Sequence, residues 1–277
     1  MKSKRIIGFI TIISILLMAL TGCASSSAAT TEPEKVLKVG VCAGPYGDML
    51  AEAIQPSLEE KGYTVEIVEF SDYVQPNKAL AAGEIDLNLF QHSTYLTNFA
   101  KENSLDLTFI KEVPTAAMGI FSAKYKTIND IENGATVAIP NDATNLSRAI
   151  RVLAQTNIIT IDPAVDPKTA TQNTLSSNPK NLQFVEIEAP QLPRSLDSVG
   201  IAVINGNYAL SSGLNLSDAL YNEKLSEGYI NGVAVRTEDK DSDFAKDVIA
   251  VIESDAFKQV IEDPSKQYVS FQRPSDY

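Results

Sequence analysis

Apolar and polar positions along the chain follow two periods, and the two alternate. Leu37, Val39 and Val41 recur at every second position, which predicts a strand over 37–41. Leu50, Ile54 and Leu58 recur at every fourth and predict a helix over 48–61. A strand over 64–70, a short helix over 77–82 ended by Gly83, and a strand over 85–90 follow. Further strands are predicted over 135–139, 182–187, 201–204 and 232–236. Helices are predicted over 145–155, around 192–196 and over 242–262, the last with Phe244, Val248, Val251 and Ile252 on one stripe.

This alternation implies an α/β fold with mostly parallel sheets. The strands form two clusters, one before about Ala123 and one after about Gly134, and the apolar run 232–236 follows the second. If that late strand rejoins the first sheet, the chain forms two lobes joined by two crossings. The expected division is 36–120 with 230–277 in one lobe and 121–229 in the other. Ligands of open α/β sheets bind beyond the carboxyl ends of the strands, so residues just after strands should line the cleft.

The first residues change the picture from a fold to a compartment. Lys2, Lys4 and Arg5 precede an apolar run over 6–20. That run is shorter than the roughly 20 residues of a membrane span and suits the core of an export signal. Leu20-Thr21-Gly22-Cys23 then resembles a lipobox, with Cys23 as the lipidated residue; an ordinary signal peptide followed by a chance cysteine is the alternative. The expected organisation is a signal peptide over 1–22 and a flexible tether rich in Ser, Ala and Thr over 23–35. Two acyl chains would hold the protein on the extracytoplasmic face of the cell membrane, since one chain anchors only marginally.

Charge and composition narrow the chemistry. The formal net charge is −12, and removing the leader takes it to about −15. An acidic body argues against nucleic acid and against adhesion to anionic lipid. A single histidine and no Cys/His cluster argue against a transition-metal site. No phosphate-binding glycine loop occurs, so no cofactor is expected. Cys42, the cysteine left after Cys23, lies in a strand-like run and is expected to be buried.

Three groups of residues could bind a small molecule. In the segment 139–148, Asn141 or Asp142 can cap a helix whose first turns carry Asn145 and Arg148 on one face. A helix N-terminus beside an arginine suits a carboxylate, although a solvated surface arginine fits the same spacing. Tyr73, Phe90, His92 and Tyr95 lie near strand ends, where they could wall a pocket or pack between lobes. Asn205 and Asn231 flank strands and could either meet a polar headgroup or form turns.

The segments SDYVQPN (71–77), FQHSTY (90–95), PNDATNLSR (140–148), EAPQLPRSLD (188–197), AVINGNYA (202–209) and YINGVAVR (229–236) occur in this order. Together they resemble the NlpA-type, methionine-binding lipoproteins of ABC importers over nearly the whole body. The resemblance implies a two-lobed, type II periplasmic-binding-protein fold with two interlobe crossings and the ligand between the lobes. It implies that Arg148 clamps the ligand carboxylate. Asn145, Asn205 and Asn231 would surround the headgroup, and Tyr73, Phe90, His92 and Tyr95 the thioether side chain. It also implies a monomer that serves an ABC permease and takes L-methionine or a related small ligand.

The chain departs from the family pattern at 113–119, which reads VPTAAMG where members carry an aromatic or histidine near the Pro-Met-Gly or Pro-Ile-Ala-Gly stretch. Small residues there are expected to widen the pocket. A methionine-containing dipeptide or another apolar amino acid is therefore an alternative ligand. A lipid-anchored hydrolase would need a nucleophile and base in reach, and no G-x-S-x-G motif occurs. A surface adhesin that uses the fold without transport is a third reading.

Overall fold

The computed structural model describes residues 35–277. The leader expected over 1–22, the expected lipidation site Cys23 and the tether expected over 23–35, except Lys35, which opens the first strand, therefore lie outside the described residues. Among the described residues, no helix is long and apolar enough to cross a membrane.

Twelve strands are described: β1 Lys35–Cys42, β2 Tyr63–Phe70, β3 Leu87–His92, β4 Leu107–Glu112, β5 Gly119–Phe121, β6 Thr136–Pro140, β7 Thr160–Ile161, β8 Leu175–Ser177, β9 Gln183–Ile187, β10 Ile201–Ile204, β11 Tyr221–Asn222 and β12 Asn231–Arg236. They form two five-stranded sheets, ordered β2-β1-β3-β12-β4 and β11-β5-β10-β6-β9, with β7 and β8 as a separate pair. The late strand β12 thus returns to the first sheet, between β3 and β4. The chain passes from the first sheet to the second through residues 113–118 and back through 223–230.

The sheets are mixed rather than mostly parallel, which corrects the expectation from the alternating pattern. β1 pairs in parallel with β2 and β3, and β6 with β9 and β10. β12 runs antiparallel to both its neighbours, and β5 runs antiparallel to β10 and β11. The cause is topological: a chain that arrives from the other lobe enters the sheet from the cleft end, opposite to the strands that lead toward the cleft.

Nine α-helical segments cover the sheets: α1 Pro45–Met49, α2 Gln55–Glu60, α3 Gln75–Ala81, α4 Ser93–Asn103, α5 Ala143–Gln155, α6 Leu192–Ser195, α7 Gly206–Ser211, α8 Asp243–Ile252 and α9 Asp255–Glu262. The helix expected over 48–61 begins at Pro45 and contains a π-helical turn, Leu50–Ile54, between α1 and α2. Pro56 follows that turn and has no N–H to donate, so the ladder is interrupted there. The helix expected over 242–262 is two helices, because the Ser254 hydroxyl accepts from Phe257 N–H and starts α9 afresh. Helix α4 and strands β4 and β5 were not anticipated.

Apolar side chains are buried against both sheets. Leu37, Val39, Leu50, Ile54, Leu58, Leu87 and Val248 are buried under the first sheet. Ile120, Val137, Ile139, Ile150, Leu153 and Val203 are buried under the second. Val137, Ile139, Ile201 and Val203 are fully enclosed. Fully burying such a side chain stabilises the fold by about 1.5–3 kcal/mol. The first of these apolar clusters also takes in Ala138, Ala202 and Ile204 on the other face of the second sheet, so apolar packing runs from one lobe to the other.

Candidate ligand-binding site

The strand ends converge on a small cavity between the two sheets. Tyr73, Phe90, His92, Tyr95, Asn145, Arg148, Asn205 and Asn231, the eight residues singled out by sequence, all line it. Tyr46, Gln91, Ala116, Gly206 and Asn207 line it as well.

The first sheet supplies the aromatic wall. Tyr73 stacks on Phe90 at 5.7 Å between ring centroids and meets Tyr95 edge-on at 5.9 Å. Their backbone is held by a buried amide cluster: Asn77 Nδ2 donates to Gln91 Oε1 at 2.8 Å, and Gln91 Nε2 donates to Asn77 Oδ1 and Asn88 Oδ1. Asn77 lies in α3 and Gln91 in β3, so this cluster joins the 71–77 and 90–95 segments. A fully satisfied buried network of this kind fixes one arrangement.

His92 ends β3 and caps α4. Its Nδ1 accepts from Tyr95 N–H at 3.1 Å, which places the ring proton on Nε2. Nε2 is buried with no hydrogen bond of good geometry among the described residues, although the Asn145 side chain and the Gly228 backbone lie near enough to favour its protonated form. Burial first, and the Arg148 charge second, hold the imidazole pKa well below its usual value. His92 is therefore a neutral donor.

The second sheet supplies the polar wall through α5. Asp142 is the cap: its Oδ1 accepts from Asn145 N–H at 2.8 Å, and both its oxygens accept from Asn145 Nδ2. Burial raises the Asp142 pKa, and the Asn145 hydrogen bonds oppose that. The cap expected at Asn141 or Asp142 is thus Asp142, whose carboxylate engages the Asn145 N–H of the first turn.

The Asp142 contact also orients a chain of amides. A carboxylate only accepts, so Asn145 must turn its Nδ2 toward Asp142 and its Oδ1 away. Asn145 Oδ1 then accepts from Asn205 Nδ2 at 2.9 Å. Asn205 Oδ1 is left buried and unpaired in the cavity lining. Asn231 is used differently: its Nδ2 donates to Phe90 O and its backbone N–H to Thr115 Oγ1.

Arg148 is 4% exposed, and Glu223 beside it is 2% exposed. Arg148 Nε donates to both Glu223 oxygens at 3.0 Å and Nη2 donates to Oε2 at 2.7 Å. Burial is the largest single influence on the guanidinium and depresses its pKa, but the Glu223 charge and hydrogen bonds, with Tyr73 and Tyr46, together outweigh it and the net shift is upward. The remaining nitrogen, Nη1, is not engaged by Glu223. Sequence reading missed Glu223, which sits in the irregular stretch 223–230 with no periodicity to mark it.

The lobes touch across the cavity. Tyr73 Oη donates to Asn207 Oδ1 at 2.6 Å, and Asn207 Nδ2 donates to Ala43 O at 3.0 Å. Asn98 Nδ2 donates to Thr144 Oγ1 at 3.0 Å. Of the small residues Thr115, Ala116 and Ala117, Ala116 alone is part of the lining. Thr115 is spent on the crossing, where its Oγ1 donates to Val113 O and accepts from Asn231 N–H. The Ala116 N–H donates to Tyr46 Oη, a hydroxyl that burial pushes up to about 12 and so keeps protonated.

A two-lobed α/β body whose strand ends enclose one small polar-and-aromatic cavity has the construction of a solute-binding protein. The NlpA lipoprotein family model matches residues 37–271, and the chain belongs to that family. It is 35% identical over 241 residues to the D-methionine-binding lipoprotein MetQ of Escherichia coli K12, covering 86% of this chain and 87% of that one. Its fold is similar to that of a nutrient-binding protein from Burkholderia cenocepacia bound to methionine, with a TM-score of 0.79, 36% identity, and 84% and 97% of the two chains covered. A crystal structure of the methionine-binding protein MetQ matches with a TM-score of 0.77 and 35% identity, over 82% of this chain and 94% of that one.

Proposed function

We propose that this protein is a lipid-anchored, monomeric binding protein that captures methionine outside the membrane and delivers it to an ABC permease, without catalysis. The observation that carries the reading is the pair of unsatisfied buried groups beside Arg148. His92 Nε2–H is a donor and Asn205 Oδ1 an acceptor, and both are orphaned in the cavity lining. Buried polar groups without partners are costly, and a ligand that satisfies both removes that cost. An α-amino acid does so: its carboxylate takes Arg148 Nη1 and His92 Nε2–H, and its ammonium donates to Asn205 Oδ1. No carboxylate side chain is in the lining, so a neutral amide oxygen receives the ammonium. The rings of Tyr73, Phe90 and Tyr95 then face the side chain, where sulfur–aromatic contacts contribute about 0.3–1.5 kcal/mol each.

Methionine should bind at least about tenfold more tightly than alanine, which lacks two to three buried groups worth about 0.8 kcal/mol each. Leucine should be the closer rival, since apolar pockets separate near-isosteres weakly. Competition titrations of both methionine enantiomers, leucine, alanine and glycyl-methionine on ligand-stripped protein decide the order. A dipeptide that binds more tightly than free methionine would overturn the ligand and leave the binding role standing.

The anchor is proposed at Cys23, from the lipobox-like Leu20-Thr21-Gly22-Cys23. Cys23→Ser should shift the protein from the membrane fraction to the soluble one. A variant as firmly membrane-bound as the parent would exclude the anchor.

A further inference from the structure

We infer that Glu223 sets the charge balance of the cavity and thereby selects ligands of zero net charge, an inference that rests on reading the cavity as an amino-acid headgroup site. Glu223 lies on the return crossing, outside the cavity lining, and its carboxylate receives Arg148 from behind. It is fixed on three sides. Its Oε2 accepts from Met118 N–H at 3.3 Å, and its own N–H donates to Met118 O at 2.8 Å. Its carbonyl accepts from Gln272 Nε2 at 2.6 Å. Gln272 Oε1 in turn accepts from Leu225 N–H, and the Gln272 backbone pairs with Thr115. Glu223 thus joins the arginine to both crossings.

The consequence is electrostatic. Arg148 reaches the cavity with its positive charge already compensated by an ion pair at 2.7 Å. Two further charged groups near Arg148 and His92 are of opposite sign, while Asp72 and Glu102 act on the Tyr95 end of the wall. Asp142 is held at the start of α5 by Asn145, and Arg151 stacks on Tyr229 at 4.4 Å with Nη2 on Ser226. His92 is neutral. A ligand with only a carboxylate would bring an uncompensated negative charge into an enclosed site, and one with only an ammonium an uncompensated positive charge. A zwitterion brings neither. If Glu223 merely held Arg148 in place, its removal would weaken all ligands alike. If it sets the balance, removing its charge leaves Arg148 unpaired and favours anions over zwitterions.

The test compares methionine, methionine lacking its amino group (an anion) and methionine lacking its carboxylate (a cation) by calorimetry on stripped protein. The parent protein should prefer methionine to the anion by about 100-fold or more. Glu223→Gln keeps an oxygen to accept from Arg148 and removes the charge. It should narrow the preference by about tenfold or more, while Glu223→Asp retains the parental ratio. An unchanged ratio in a folded Glu223→Gln protein overturns the inference. Should that variant fail to fold, the parent decides: an anion bound as tightly as methionine overturns it as well. A parent that binds none of the three compounds would instead overturn the amino-acid reading itself.

Discussion

Replacing Arg148 by alanine is expected to lower methionine affinity by roughly 30-fold or more, from loss of a buried charge-assisted contact worth about 2–5 kcal/mol. The structure adds a second effect that sequence alone did not suggest. Glu223 would be left as an unpaired buried carboxylate, and breaking such a pair costs about 3–5 kcal/mol of stability. For a domain of this size that lowers Tm by roughly 6–20 °C. The two effects separate in the double variant Arg148→Leu with Glu223→Leu. Removing both charges together should recover much of the stability, because apolar replacements of a buried ion pair are often neutral. It should not recover binding. Calorimetry and thermal unfolding on the single and double variants check both. A single variant with parental affinity would exclude the clamp, and a double variant that binds methionine normally would do the same.

Replacing Gly44 by alanine should weaken binding by acting on closure instead of on any ligand contact. Gly44 follows β1 with φ 122° and ψ −160°, a region in which side chains are strained. A Cβ there would meet the Asn207 carbonyl oxygen, on the other lobe, at 2.6 Å. That obstacle is backbone and exists only while the lobes are together. Overpacking of this kind costs about 1–3 kcal/mol, which is roughly 5- to 150-fold in affinity if it falls on the closed state alone. A ligand shifts the open–closed balance only by binding the closed form better, so an obstacle to closure subtracts directly from affinity. Small-angle scattering should show the radius of gyration of Gly44→Ala staying larger than that of the parent at the same methionine concentration. Parental affinity and parental compaction together would show that closure does not bring Gly44 against Asn207.

The strands were legible because the period-two run over 37–41 and the continuous apolar run over 201–204 are what sheets buried on one or both faces require. The late strand was legible because 232–236 is apolar and follows the second cluster. Its antiparallel direction was not, since strand direction depends on where the chain enters the sheet. Helix α4 escaped although Ser93 and Thr94 are cap-type residues; the cap lies one position earlier, where the His92 ring supplies the acceptor. The cavity residues were legible where a strand end was followed by aromatic or amide side chains. The same rule applied to Gly44-Pro45-Tyr46 after β1 would have found Tyr46. Glu223 had no such signal. Its partner lies 75 positions earlier, and one acidic residue among many in an acidic chain gives no pattern. The proposed acceptor for the ligand ammonium, Asn205 Oδ1, had no signal in the sequence either, because it is a neutral amide and not a carboxylate. It emerges from a directed chain of amides, Asp142 to Asn145 to Asn205, whose polarity can be read from contacts and not from spacing.

The central claim is that the cavity between the lobes binds free methionine. Isothermal titration of L-methionine into protein stripped of ligand by unfolding and refolding tests it most directly. One site per chain with a dissociation constant of about 1 μM or tighter is the expected result. Absence of binding at about 1 mM methionine, with the refolded protein shown to be native by its cooperative melt, would contradict it.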